Sequence, residues 1–193
     1  MERFSLKDDY LLTSELEALQ GLFERRVSWT FGWHSGNDSA PFAHWGHDFL
    51  STDPSDPRNV ESVLLDDPDL APLRDLWATI KDDFLPSHSL VRCYANARTF
   101  GAEGYPHMDA RTVGNYTSVF YLNPVWKPEW AGETVFLTEA GDVSHAVMPK
   151  PGRAVVFDGR TSHVARGVSR ICPALRVTLV FKSVAPGSED GAV

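Results

Sequence analysis

The sequence predicts a mainly β chain with helices at its N-terminal end, an α+β arrangement whose second half is an antiparallel sandwich or barrel. Three observations predict it. From Leu90 onward, short runs rich in β-branched and aromatic residues alternate with turn signals, with no helix between them. Before Leu90, apolar residues recur at helical spacing in two places. The 193 residues, 42% hydrophobic and 23% charged, are enough to bury a core without disulfide or zinc staples, and suggest one domain.

The elements follow in order. Ser14-x-x-Glu17 has the form of a capping box, and Leu16, Leu19, Leu22 and Phe23 continue it as an apolar stripe. Val27 to Trp33 reads as a strand. A Gly, Pro, Ser and Asp-rich stretch then runs to about Asn59, with Asp53-Pro54 and Asp56-Pro57 as turns. A segment of that length suits an active-site lid. Asp69 and Pro72 open a second helix carrying Leu73, Leu76, Trp77, Ile80 and Phe84 on one face, and Pro86 ends it. The strands expected beyond it are Leu90–Asn96, Tyr116–Leu122, Thr134–Thr138, Arg153–Phe157 and Leu175–Lys182. Residues 186–193 read as a disordered tail.

The formal net charge of −8 argues against a nucleic-acid backbone as partner, because phosphate binding needs clustered Lys and Arg. It leaves room for a neutral or cationic small molecule. No apolar run approaches the roughly 20 residues of a membrane span, so no membrane partner is expected. The start, Met1-Glu2-Arg3-Phe4-Ser5, lacks the apolar core of a signal peptide, and two cysteines, Cys93 and Cys172, are too few for a disulfide scaffold. A reducing cytoplasm is the expected location.

His107-Met108-Asp109 is the candidate centre of chemistry. On an extended segment, residues two apart point to the same side, so one imidazole and one carboxylate can reach a single metal. His163 follows 56 residues later, after a strand and turn ending Phe157-Asp158-Gly159-Arg160. Two His and one carboxylate on one face leave coordination positions open, which suits iron(II) in O2 chemistry. By itself His-x-Asp is weak among seven His and many Asp, and a surface turn competes with it. Arg176 strengthens it. In the last strand Arg176, Thr178, Val180 and Lys182 share a face, and an Arg there can hold the distal carboxylate of a dicarboxylate co-substrate such as 2-oxoglutarate. Iron(II) with Asp109 carries +1, a 2-oxoglutarate dianion takes this to −1, and one Arg brings the site to zero. Arg170, seven residues after His163 where Arg176 is thirteen, is a rival anchor.

These stretches resemble the prolyl-4-hydroxylase-type branch of the Fe(II)/2-oxoglutarate-dependent oxygenases. Arg92-Cys93-Tyr94-Ala95-Asn96 leading to Gly104-Tyr105-Pro106-His107-Met108-Asp109 is similar to the family's first metal-ligand turn. Phe120-Tyr121-Leu122-Asn123, Trp126 and Ala131-Gly132-Glu133 resemble its Tyr-Leu-Asn strand and Gly-Gly-Glu turn. Phe157 to His163 and Arg176-Val177-Thr178-Leu179 resemble its distal-His and co-substrate strands. Ala131 stands where the family has a first Gly, which is expected to be tolerated because only Gly132 need take positive φ.

The resemblance implies a double-stranded β-helix, a cupin-like jelly roll. Residues 1–185 would form one oxygenase domain, with about 1–88 as helical support and lid and about 89–183 as the jelly-roll core. It implies Fe(II) on His107, Asp109 and His163, with 2-oxoglutarate and O2 as co-substrates and ascorbate as a candidate reductant. Arg176, Tyr94, Tyr121 and Thr178 would surround 2-oxoglutarate. Related halogenases lack the carboxylate ligand, so Asp109 favours hydroxylation or oxidative cyclisation. The expected substrate is a small polar metabolite, such as a cationic natural product of the aminoglycoside kind, with release of succinate and CO2. Trp33, His34, Trp45, Trp126 and Arg92 are the candidate substrate wall, against a competing role for the aromatics in packing helices onto the sheet. A peptidyl prolyl hydroxylase is the alternative. A non-catalytic cupin-like metal protein ranks lower, because a cupin would carry His-x-His.

Overall fold

The computed structural model describes residues 4–35, 41–51 and 59–191. Ten strands and three helices are assigned among them. They are β1 (Phe4–Lys7), α1 (Thr13–Arg26), β2 (Thr30–Trp33), β3 (His44–Leu50), α2 (Val60–Asp66), α3 (Ala71–Asp83), β4 (Ser89–Arg98), β5 (Asn115–Tyr121), β6 (Thr134–Leu137), β7 (Val143–Val147), β8 (Ala154–Asp158), β9 (His163–Ala165) and β10 (Arg176–Val184). Seven strands form one sheet in the order β1-β8-β5-β10-β4-β3-β2, and three form a second in the order β7-β6-β9. Every strand pairing is antiparallel. The two sheets meet face to face: Phe136 of β6 packs edge-on against Phe157 of β8, ring centroids 5.0 Å apart. This is the jelly-roll architecture expected from the sequence.

The central strand β10 explains the layering. Its alternate residues point to opposite faces of the sheet. Leu179 and Phe181 enter the apolar core, where Leu19 and Leu22 of α1 and Leu73, Trp77 and Ile80 of α3 cover that face. Trp77 stacks on Phe181 at 5.9 Å. Arg176, Thr178, Val180 and Lys182 point the other way, into a cavity between the sheets. The helices thus seal one face and leave the other for polar chemistry.

Several expectations are corrected. The N-terminal turn of α1 is closed two residues earlier than the Ser14/Glu17 pattern suggests: the Leu12 N–H donates to Glu15 Oε2 at 2.7 Å, and Ser14 lies inside the helix. The polar stretch before Asn59 holds strand β3, seated on β4 with His47 opposite Ala95. Its turns at Asp53-Pro54 and Asp56-Pro57 lie outside the described residues. Residues 186–191, expected as disordered tail, fold back on the 111–115 loop, where Asn115 Nδ2 donates to the Glu189 carbonyl at 3.0 Å. Ala131 itself takes φ 54°, so both residues of the Ala131-Gly132 turn lie at positive φ.

Candidate active site

His107 and His163 come together through the backbone before any side chain is considered. The His107 N–H donates to the His163 carbonyl at 3.0 Å, and the His163 N–H returns the bond at 2.9 Å. The two residues therefore face each other across an antiparallel bridge, rings 4.4 Å apart. The Asp109 N–H donates to Gly159 O at 2.8 Å, which keeps the His107-Met108-Asp109 segment extended alongside the turn before β9. His107 Nε2 lies 3.7 Å from Asp109 Oδ1, and His163 Nε2 lies 3.7 Å from Asp109 Oδ2. One ligand atom from each residue lies within 4.8 Å of the others, close enough to hold a single ion.

The hydrogen bonds set the imidazoles for that task. His107 Nδ1 meets Tyr105 O at 2.8 Å, and His163 Nδ1 meets Thr161 O at 2.9 Å. A carbonyl only accepts, so each Nδ1 carries the proton and each Nε2 is left with its lone pair. Burial, and then the neighbouring His163, push the His107 pKa down to about 4, so its ring is neutral at pH 7. Phe157 and Phe136 wall the His163 ring at 4.8 and 5.9 Å. Burial works to raise the Asp109 carboxyl. The Lys182 ammonium, then the adjoining His163 and His107 and the Thr117 hydrogen bond, outweigh it and hold the group ionised. Thr117 Oγ1 donates to Asp109 Oδ2 at 2.7 Å, and Lys182 Nζ lies 3.1 Å from Oδ1. Two imidazoles and one carboxylate with fixed orientations fit a divalent iron.

The cavity beside this cluster encloses about 850 Å3 including its mouth. One end is made by the starts of β10 and β6 and the end of β4. Arg176 is fully buried; its Nε donates to Gly132 O, its Nη2 donates to Thr134 Oγ1 at 2.8 Å, and its guanidinium lies over the Tyr121 ring. Tyr121 Oη meets Thr134 Oγ1 at 2.8 Å. Arg98 is the cross-strand neighbour of Arg176. It donates to His44 Nδ1 and Ala102 O, while its buried Nε has no partner among the described residues. Burial, and then Arg176, push the Arg98 pKa down to about 9, so it stays charged at neutral pH. Burial, and then Arg98, push the His44 pKa down to about 4, so its neutral Nδ1 can accept from Arg98 while Nε2 meets Asn96 Oδ1. Two buried guanidiniums with an unsatisfied N–H between the sheets fit the distal carboxylate of 2-oxoglutarate.

The structure places the residues singled out in the sequence unequally. Tyr94 and Thr178 line the cavity with Arg176, as do Trp33, His34 and Arg92. Tyr121 sits behind Arg176 and holds it. Arg170 lies at the surface over the Phe100 ring, outside the cavity. Two members of the expected substrate wall are absent from it. Trp45 packs on Phe31 across the outer edge, and Trp126 donates to Ala131 O and packs against Trp130. Both belong to supporting structure. Gly132, by contrast, is required: it has φ 81°, and a Cβ there would stand 3.1 Å from Arg176 Cδ. Arg98 went unrecognised in the sequence. Arg98 continues the Arg92, Tyr94, Asn96 face by the same period of two, but the strand was taken to end at Asn96.

Residues 91–181 match the family model of the 2OG-Fe(II) oxygenase superfamily. No curated relative matches the chain in sequence. Among solved structures, a prolyl-4-hydroxylase of Pseudomonas putida is similar, with 19% identity, 97% of this chain and 95% of that one covered, and a TM-score of 0.64. AviO1 of Streptomyces viridochromogenes Tue57 has 18% identity over 98% of this chain and 93% of its own, with a TM-score of 0.62. HygX of Streptomyces hygroscopicus, solved with nickel, 2-oxoglutarate and hygromycin B bound, has 13% identity over 96% and 84%, with a TM-score of 0.59. At these identities the likenesses establish the fold alone. The matched segment spans the His107-x-Asp109 turn, His163 and Arg176, and together with the shared fold it supports an iron(II)- and 2-oxoglutarate-dependent dioxygenase.

Proposed function

We propose that this dioxygenase oxidises a small polar metabolite, by hydroxylation or oxidative cyclisation. In this reading residues 1–185 act as one oxygenase domain in the cytoplasm. His107, Asp109 and His163 hold the iron, and Arg176, assisted by Arg98, anchors the distal carboxylate of 2-oxoglutarate. Iron(II) with this co-substrate supplies O2 activation coupled to release of succinate and CO2. The chain's own residues bind and orient. Thr117 and Lys182 fix the Asp109 carboxylate. Tyr105 and Thr161 carbonyls fix the imidazoles. Thr134 and Tyr121 fix Arg176, and Phe136 and Phe157 keep water from one side of His163.

The observation that carries this reading is the geometry of one cavity. It holds three convergent ligand atoms and, on the adjacent strands β4 and β10 that line it, a buried arginine pair. A small molecule is favoured over a prolyl peptide because Trp33 and Arg92 stack at the cavity's other end. The relative solved with hygromycin B supports a small-molecule reading, and the relatives that are prolyl hydroxylases support the peptide alternative. The aminoglycoside kind of substrate rested on the overall charge of −8. The cavity wall has the opposite sign and speaks against it.

Anaerobic addition of iron(II) and 2-oxoglutarate should give a weak visible charge-transfer band, lost in His107→Ala. Absence of the band, or its survival in that variant, would sink the assignment of the ligands. Succinate release across metabolites and peptides then decides between substrates, and turnover confined to proline peptides would overturn the small-molecule reading.

A further inference from the structure

The second end of the cavity has its own cationic pair. Arg92 of β4 and Lys182 of β10 are direct register partners, six residues along each strand from Arg98 and Arg176. The guanidinium of Arg92 lies 5.2 Å from the Trp33 ring and 4.7 Å from the Tyr94 ring. Its Nε pairs with Asp48 Oδ1 at 3.2 Å, and its two terminal nitrogens have no partner among the described residues. Lys182 spends one donor on Asp109 Oδ1. Among the described residues lining the cavity, Asp109 is the sole carboxylate, against four basic side chains.

Charge counting by region isolates what is left over. At the first end Arg98 and Arg176 bring two positive charges, Glu133 near Arg176 brings one negative, and the distal carboxylate of 2-oxoglutarate balances the remainder. At the centre a divalent metal is balanced by Asp109 and the other carboxylate of 2-oxoglutarate. At the second end Arg92 and Lys182 bring two positive charges and Asp48 one negative. Among the described residues, one positive charge therefore persists there in the loaded site, and a metal on Asp109 also draws that counter-ion away from Lys182. An unbalanced cation in a cleft recruits an anion.

We propose that the substrate carries one carboxylate, bound between Arg92 and Lys182 at this second end, with its oxidisable carbon directed back toward the metal cluster. This rests on the proposed oxygenase reading. A carboxylate fits better than a phosphate monoester: its single charge matches the excess, and its two oxygens match the free fork of Arg92. Trp33 and Tyr94 would flank the group carrying it.

The test uses protein loaded with zinc(II) in place of iron and saturated with 2-oxoglutarate, so that the Arg176 end is filled and no turnover occurs. Benzoate, benzamide and phenyl phosphate are titrated by saturation-transfer NMR, with metal content checked in each variant. Benzoate is expected to bind at least tenfold more tightly than either other probe. Arg92→Gln and Lys182→Met are each expected to weaken benzoate about tenfold and to leave benzamide unchanged. Arg92 touches no metal-ligand residue, so its variant separates this site from effects on the metal. Benzoate no tighter than benzamide, a preference surviving in Arg92→Gln, displacement of benzoate by further 2-oxoglutarate, or tighter phenyl phosphate would each overturn the proposal. Failure of 2-oxoglutarate itself to bind would instead remove the oxygenase reading, and this inference with it.

Discussion

The two ends of the cavity use the same chemistry under different solvation. Arg98 and Arg176 are 3% and 2% exposed. Their hydrogen bonds go to neutral groups, a carbonyl, a hydroxyl or an imidazole. Arg92 and Lys182 have side chains 37% and 17% exposed, and each already touches a carboxylate. A buried cation hydrogen-bonded only to neutral groups, with Glu133 as the one negative charge nearby, is costly until an anion arrives. The first end is therefore suited to a ligand that is always the same. The second end is stable while empty, which suits a group that comes and goes with each turnover. On the proposed roles, the difference teaches that burial, more than residue type, separates co-substrate anchor from substrate contact.

The comparison can be broken most strongly at the first end. Arg176→Met is expected to weaken 2-oxoglutarate roughly fiftyfold, the equivalent of about 2–3 kcal/mol for a lost charge-assisted pair. Arg170→Met should change it less than twofold. The reverse ranking in a 2-oxoglutarate titration would move the anchor. At the second end Gly46→Ala is the cleanest probe, because a Cβ there would stand 2.0 Å from Trp33 Cδ2. Displacing Trp33 unsettles the Arg92 stack. Benzoate affinity should fall roughly tenfold by the reasoning applied to Arg92, while 2-oxoglutarate affinity holds within twofold.

A pH effect sharpens the contrast further. The folded chain keeps His44 neutral, with its pKa about 4 against an ordinary 6.5, because burial and then Arg98 oppose protonation. Between those values the unfolded chain binds more protons than the folded one. Stability is therefore full above pH 6.5 and declines as the pH falls toward 4. Thermal unfolding of the metal-free protein should show this slope, and His44→Gln should make it shallower, leaving the share that His107 contributes. An unchanged slope would mean that Arg98 does not rely on a neutral His44. The smallest effect is expected at Ala131, whose φ of 54° is strained for a residue with a Cβ. Ala131→Gly should stabilise by about 1 kcal/mol in urea unfolding, with no change in either ligand.

Much of the core was legible because alternation along a strand assigns faces. The Arg176, Thr178, Val180, Lys182 row and the His107-x-Asp109 pair both follow from a period of two. That period does not say which face meets solvent and which meets a cavity, so Lys182 was placed on the correct face without being seen as part of the site. Arg98 was missed through a strand end set two residues short. β3 was hidden by composition: His44, Gly46, His47 and Asp48 give poor β propensity, and its pairing with β4 holds it in place. Ala131 was misjudged because backbone strain at a turn depends on surroundings, here the Trp126 bond to its carbonyl and its bridge to Val168.

The reciprocal backbone bonds between His107 and His163 have a consequence for editing the protein. They belong to main-chain atoms, so they survive replacement of either side chain. Positions 107 and 163 stay opposite one another whatever they carry. Metal preference can then be rewritten by exchanging an imidazole for a thiolate or a carboxylate, with the surrounding barrel as an unchanged mount for a different ion.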